Sequence, residues 1–355
     1  MVEDPAPTVA TKARSWGSET GMRFHHVGMN DMRLPHAGGV PRLGHMNVVL
    51  YVLVALTWGS SFFFAKIGLE GLAPQQVATV RTVLGALTLV VVLLVTRRRW
   101  PRERRMWGHL LVVAVFLNAV PSSLMAWAEQ TVPSGLASIY NATTPIMTLL
   151  ALAVLVPNER LNRRQVGGIV LGIVGVLVLV GPWDVIGDPE VLASVPGQVA
   201  LLGMTASYGI GLAWLRRFGV GGGYDPTTVA TVQLTLAAVL MLLVAPVIAA
   251  GPVQLDWRIV AAMVALGAVG TGLAYAWNTR LVGAWGAGRA STVTYLTPVV
   301  GVALGVLVLG EPLRWNEPVG GLVVLAGIAL ASGPLGARRR SAPAPAGEPR
   351  AVAGR

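Results

Sequence analysis

The sequence predicts an all-α membrane protein: ten transmembrane helices arranged as two inverted five-helix repeats. Three observations predict it. Hydrophobic residues make up 54% of the 355 positions and charged residues only 12%, with a mean hydropathy of +0.64. A soluble domain carries about 25% charged residues, so this chain cannot solvate its own surface and a water-soluble enzyme is excluded. Apolar stretches recur along the chain, each near the roughly 20 residues a helix needs to cross a bilayer. Motifs of the first half return in the second at an almost constant offset.

In chain order, residues 1–46 are polar, without apolar period, and are expected to form a disordered cytoplasmic arm. The histidines His25, His26, His36 and His45 fit no ligand spacing, so no metal is expected there. An over-extended reading frame with its true start at Met46 is an equal alternative. No signal peptide is legible, because the arm runs into the first span without a small-residue cleavage site. The expected spans are 47–67, 76–96, 107–128, 134–156, 165–181, 197–215, 227–250, 258–278, 289–309 and 318–335. These runs do not alternate as barrel strands do. Residues 336–355 are rich in Arg, Pro and Ala and are expected to be a disordered, basic cytoplasmic tail. Trp100, Trp107, Trp183 and Trp257 fall at span ends, as interfacial anchors do.

The net charge of +11 suggests nucleic acid until its placement is read. Loops after even-numbered spans up to the eighth hold Arg97, Arg98, Arg99, Arg102, Arg104, Arg105, Arg160, Arg163, Arg164, Arg216, Arg217, Arg280 and Arg289. Loops on the other side hold Lys66, Arg258 and Arg314. Thirteen against three is a positive-inside bias that puts both termini in the cytoplasm. The segment Arg97-Arg98-Arg99-Trp100-Pro101-Arg102 is thus a topology signal and a candidate anionic-lipid contact; no nucleic-acid partner is expected. The abundance of Arg, Ala, Gly and Val suggests a GC-rich bacterial genome, hence a bacterial plasma (inner) membrane. No cysteine is present, which removes disulfides and thiolate chemistry.

The repeat is read from ordered matches. Val77-Ala78-Thr79-Val80 returns as Val229-Ala230-Thr231-Val232, and Pro74 as Pro226, at offset 152. Gly135-Leu136-Ala137-Ser138 answers Gly288-Arg289-Ala290-Ser291, and Pro145 answers Pro298, at offset 153. Glu159-Arg160-Leu161 answers Glu311-Pro312-Leu313. Five spans per unit, an odd number, turn the second copy upside down. Inverted repeats serve carriers that expose one central site to either side in turn.

Several residues bear the resemblance to a known family. Trp58-Gly59-Ser60-Ser61, Ser134-Gly135-Leu136-Ala137-Ser138 with Thr144-Pro145, Asn158-Glu159-Arg160-Leu161, and Thr297-Pro298 with Leu309-Gly310-Glu311-Pro312-Leu313 resemble the EamA family of the drug/metabolite transporter superfamily. The resemblance covers about 47–335, as a first EamA repeat at 47–181 and a second at 197–335. It implies ten helices, alternating access and export of small metabolites such as amino acids. Uptake, lipid flipping and nucleotide-sugar exchange remain open alternatives. One departure is that Tyr208-Gly209 stands where the first copy has Trp58-Gly59.

Candidate site residues are the polar and aromatic groups inside spans. Trp58, Arg81, Tyr140, Asn141, Tyr208, Tyr275 and Tyr295 are the substrate-cavity candidates, with Asn278 and Thr294 beside them; helix packing is the alternative reading for each. Arg81 lies roughly 24 Å along the helix from Arg97, inside a hydrocarbon core roughly 30 Å thick. It either snorkels to the headgroups or meets a partner or an anionic substrate group. Lys66 and Glu129 end spans 1 and 3 and are candidates for an outer gate or, for Glu129, proton coupling. Pro145 and Pro298 are expected helix kinks, and Pro121 a plain one. Gly168-x3-Gly172 and Gly301-x3-Gly305 pack helices closely, within the chain or in a homodimer. No cofactor and no catalytic residue are expected. No Asp lies in a span, and the one histidine beyond the arm is His109, so an intramembrane enzyme lacks its parts. A channel would need a charge ring or filter, and none is legible.

Overall fold

The computed structural model describes residues 45–98, 100–157, 159–183, 188–218 and 223–332. The expected disordered arm and tail, and Asn158 of the resemblance, lie outside the described residues, save the arm's last two positions. Among the described residues the chain is helical, with no strand. Eight helices are long and apolar enough to cross a bilayer: α1 (His45–Gly68), α2 (Pro74–Val95), α3 (Arg104–Ala128), α4 (Ser134–Leu155), α5 (Arg163–Val180), α6 (Pro189–Arg217), α7 (Pro226–Ile248) and α8 (Trp257–Trp285). Two shorter apolar helices follow, α9 (Ser291–Leu307) and α10 (Asn316–Ser332).

Local chemistry sets the ends. Asn162 and Gln165 cap α5 reciprocally at 3.0 and 2.9 Å, and Gly181, at φ +61°, closes it in the left-handed conformation. Asp225 and Asp256 cap α7 and α8 by accepting the N–H groups of Thr227 and Ile259 at 2.9 and 2.8 Å. Two boundaries differ from the hydropathy reading. Helix α6 starts at Pro189 rather than near 197, because Asp188 accepts the Glu190 N–H at 2.9 Å and proline suits a first helical turn. Helix α8 runs on to Trp285 rather than 278, because the Thr279 hydroxyl is satisfied by the Ala276 carbonyl at 2.8 Å and by Thr227 at 3.2 Å.

Helix α1 is interrupted at Ser60, and four further helices are broken inside in matching pairs. Helix α4 stops at Asn141 and restarts at Thr144, with Pro145 as the second residue of the new segment. In α9 a 3₁₀ turn over Ser291–Tyr295 gives way to Thr297–Leu307, with Pro298 in the same place. At each break a threonine hydroxyl bonds back, Thr144 to the Asn141 carbonyl at 2.7 Å and Thr297 to the Thr294 carbonyl at 2.9 Å. Helix α3 widens into a π-turn at Val115–Ala119, and α8 does so at Ala265–Leu273.

The packing exchanges under a swap of halves. Helix α1 packs on α8 and α9, as α6 packs on α3 and α4; α2 packs on α8, as α7 packs on α3. The pairs α2–α7, α4–α9 and α5–α10 map onto themselves. A Cβ built on Gly59 would fall 2.5 Å from the Val300 Cβ, and one on Gly209 would fall 2.7 Å from the Met147 carbonyl carbon. Met147 and Val300 are themselves equivalent at offset 153. Two five-helix units thus lie around a pseudo-twofold axis.

The small-residue motifs are spent inside this packing. A Cβ on Gly168 would come within 2.4 Å of the Gly327 carbonyl oxygen, and one on Gly172 within 2.1 Å of Ile146. Gly301 and Gly305 are closed in the same way by Ser138 and Glu311. These glycines therefore seat α5, α9 and α10 against their neighbours within the chain.

Polar contacts gather at two ends of the bundle. At one, Arg98 pairs with Asp225 and Arg216 with Glu159. At the other, Arg258 approaches Glu70 at 3.8 Å, and Arg314 donates to Asp188 at 2.5 Å. Arg314, together with the Glu190 N–H, holds the exposed Asp188 carboxyl below the usual carboxylate range. We refer to these as the arginine end and the Glu311 end.

Candidate functional site

A cavity of about 280 Å³ lies in the middle of the bundle, near the lower limit of small-ligand sites, about 300–1,000 Å³. Its position follows from the repeat. Six pairs of equivalent residues line it: Trp58 and Tyr208, Phe62 and Leu212, Leu117 and Gly270, Met125 and Asn278, Asn141 and Thr294, Thr144 and Thr297. They account for twelve of its fifteen lining residues, so the cavity straddles the pseudo-twofold axis. The breaks build it. Asn141, Thr144, Thr294 and Thr297 stand at the interruptions of α4 and α9, and Leu117 and Gly270 on the two π-turns. Such turns free backbone geometry that a straight helix would lock, and they recur at functional sites.

Ser61, Arg81 and Tyr275 are the lining residues without an equivalent partner in the cavity. The rings of Trp58 and Tyr275 meet edge to face at 6.2 Å and 70°, and with Tyr208 they form an aromatic wall. Arg81 supplies the one charge. Its Nε donates to the Thr271 hydroxyl at 3.1 Å and its Nη1 to the Met125 sulfur at 3.2 Å. No carboxylate among the described residues forms an ion pair with it. Its repeat equivalent Gln233 is buried in α7 and outside the cavity, with its side-chain oxygen unpartnered.

Of the sequence candidates, Trp58, Arg81, Asn141, Tyr208 and Tyr275 come together in this cavity, with Asn278 and Thr294. Tyr140 and Tyr295 do not line it. Tyr140 is fully buried and donates to the Gln198 side chain at 2.6 Å, so its hydroxyl is spent on joining α4 to α6. Tyr295 turns its hydroxyl toward Ser332 of α10 at 3.5 Å. Phe62, Leu117, Met125, Leu212 and Gly270 escaped the sequence reading because apolar side chains look alike in any span. The repeat offset was the signal: each is the equivalent of another lining residue.

Lys66 and Glu129 meet through the backbone and not through a side-chain ion pair. The Lys66 ammonium donates to the backbone carbonyls of Glu129 and Val132. It thus satisfies carbonyls left open at the end of α3, where a cation is favoured. The Glu129 carboxylate is 0% exposed, with no hydrogen-bond partner for either oxygen. Both residues, with Glu70 and Glu311, edge a second and larger cavity of about 820 Å³ at the Glu311 end.

A cavity shared equally by two copies of one five-helix unit is the arrangement of a membrane transporter, not of an enzyme. The chain belongs to the EamA-like transporter family, which matches residues 45–181 and 195–333. A Salmonella typhimurium protein named "Probable amino-acid metabolite efflux pump" is 27% identical, over 79% of this chain and 92% of its own. The inner membrane transporter YedA of Escherichia coli K12 is 28% identical, over 80% and 89%. A Pseudomonas aeruginosa protein is 32% identical, over 81% and 94%. A solved crystal structure shares the fold, with a TM-score of 0.54 over 81% of this chain and 96% of its own, at 20% identity. The protein is a multi-pass membrane transporter of small molecules.

Proposed function

We propose that the chain exports small amphipathic metabolites, amino acids and their derivatives among them, across a bacterial plasma membrane by alternating access. The observation that carries this reading is the cavity on the pseudo-twofold axis. Because equivalent residues line it from both halves, exchanging the conformations of the halves moves the opening from one side to the other without rebuilding the site. The name of the Salmonella relative, an efflux pump, supports export, and that of YedA an inner membrane transporter.

The arginine end faces the cytoplasm by the positive-inside bias, with both termini on that side. Leu212, Asn278 and Thr294 carry the cavity lining toward that end and their equivalents Phe62, Met125 and Asn141 carry it toward the other, where Glu311, Arg314 and Gln254 tie loops together. Counterflow in proteoliposomes, with a panel of labelled amino acids and derivatives, tests the reading. Uptake should appear for at least one aromatic-bodied substrate and fall in Trp58→Ala and Tyr208→Ala at equal reconstitution. Absence of counterflow across the panel, or wild-type rates in both variants, overturns it.

A further inference from the structure

We propose that, among the amphipathic metabolites the central cavity admits, the species held best is a monoanion, a carboxylate on an aromatic or apolar body whose amine is absent or acylated, and that Arg81 receives its carboxylate. This rests on the reading of the central cavity as the substrate site.

The argument begins with the charge balance of the wall. The cavity lining holds one cation, Arg81, and no carboxylate. A guanidinium carries five N–H donors in a planar fork, and only two contacts are made from it, to a hydroxyl and to a thioether, itself a weak acceptor. Neither neutralises the charge. An unpaired charge inside a membrane normally faces protein or water and meets a partner, and the fork geometry matches a carboxylate. A single cation balances one negative charge, which favours a carboxylate over a phosphate dianion.

The rest of the lining limits what else the ligand carries. Opposite charges on a zwitterion would need an acid as well as a base. Glu129 is the acid near Arg81 in the fold, but it edges the cavity at the Glu311 end, not this one. An ammonium here would find hydroxyl groups, the Asn141 and Asn278 amides and ring faces. A cation–π contact is weaker than the cost of stripping water from an ammonium. The rings of Trp58, Tyr208 and Tyr275 instead suit a flat apolar body, and the volume of about 280 Å³ admits one amino-acid-sized molecule. Symmetry adds an independent pointer: Ser61, Arg81 and Tyr275 depart from a lining otherwise built of equivalent pairs, and Arg81 is the charge among them, so ligand polarity is set on one side of the axis.

The test uses the full chain in proteoliposomes and three labelled probes with the same benzyl body: N-acetylphenylalanine, phenylalanine and phenylalaninamide. Wild-type counterflow should favour the anion over the amide by roughly tenfold or more, the worth of a hydrogen bond to a charged group. Arg81→Gln, which copies Gln233, should erase that preference, and Arg81→Lys should restore part of it. Melting of each variant in detergent checks that it folds. If phenylalanine or phenylalaninamide is preferred, or if Arg81→Gln slows all three probes equally, the anion assignment falls while the transporter reading stands. If no probe moves with the wild type, the cavity reading itself fails and takes this inference with it.

Discussion

Glu311 and Ser134, from opposite halves of the chain, are joined by two hydrogen bonds: Oε1 accepts the Ser134 N–H at 2.8 Å and Oε2 its hydroxyl at 2.9 Å. Oε2 also accepts the Gly135 N–H at 3.0 Å. The carboxylate therefore sits on the first turn of α4, where open N–H groups and the helix dipole favour an anion. Gly305 makes the room, since a Cβ there would fall 2.3 Å from Oε2.

Loosening this contact should open the Glu311 end. In Gly305→Ala the new methyl displaces the carboxylate, and in Glu311→Gln the charge is lost. Removing about 1–2 kcal/mol of charge-assisted bonding shifts a two-state balance by about 5- to 30-fold. The chain has no cysteine, so Asn141→Cys reports on the central cavity without background. Its labelling by an impermeant maleimide added from outside should rise by that order in both variants. Unchanged labelling would mean that Glu311 is a helix cap and not a gate.

The adjacent glycines of α5, Gly167 and Gly168, should respond unequally to one methyl. A Cβ on Gly168 would lie 2.4 Å from the Gly327 carbonyl oxygen and 2.6 Å from Ala331, backbone and a short side chain that cannot turn away. On Gly167 it would meet only the end of Leu330, at 3.5 Å. Gly168→Ala should cost about 1–3 kcal/mol through overpacking, and Gly167→Ala close to nothing. Thermal melting in detergent compares the two. Equal melting would remove the α5–α10 contact from the account of the fold.

Much of the architecture was legible because bilayer physics writes it into composition: a span must be apolar for about 20 residues. The repeat was legible because Pro145 and Pro298, and Gly135 and Gly288, keep their spacing. Trp58, Arg81 and Tyr208 stood out as polar or aromatic groups among aliphatic ones. The cavity's apolar lining did not, because Met125 and Leu117 differ in no composition from residues facing lipid. Tyr140 lies outside the cavity for a reason the sequence does not display. A buried tyrosine needs a partner for its hydroxyl, and whether Gln198 or a ligand supplies it depends on how α4 meets α6. Lys66 and Glu129 have the charges of an ion pair, yet the lysine is drawn to main-chain carbonyls that no sequence pattern displays.

Orientation is checked by two fusions. A reporter placed after Arg340 should read cytoplasmic. One inserted after Trp183, ahead of the Asp188 cap so that α6 is left whole, should read external. The same side for both would break the alternation of spans on which the positive-inside assignment rests.

Glu129 offers a pH test. Its carboxylate is wholly buried with both oxygens unpartnered, and an unpaired ionised group in such a place is costly unless it takes up a proton. The charged groups around it are Lys66, bonded to its own carbonyl, and Arg81 and Glu311 on neighbouring elements. The residue lies along the edge of the larger cavity at the Glu311 end. If proton movement is coupled to substrate through this group, transport should respond to an imposed pH gradient, and Glu129→Gln, which fixes the neutral shape, should flatten that response. Binding of substrate to the central cavity, measured in detergent, should stay within about twofold of wild type, because Glu129 does not line it. The decisive measurement is counterflow against gradient-driven uptake in the same vesicles. A variant that keeps counterflow and loses the gradient response assigns coupling to Glu129, whereas an unchanged response reduces the residue to a buried end of α3.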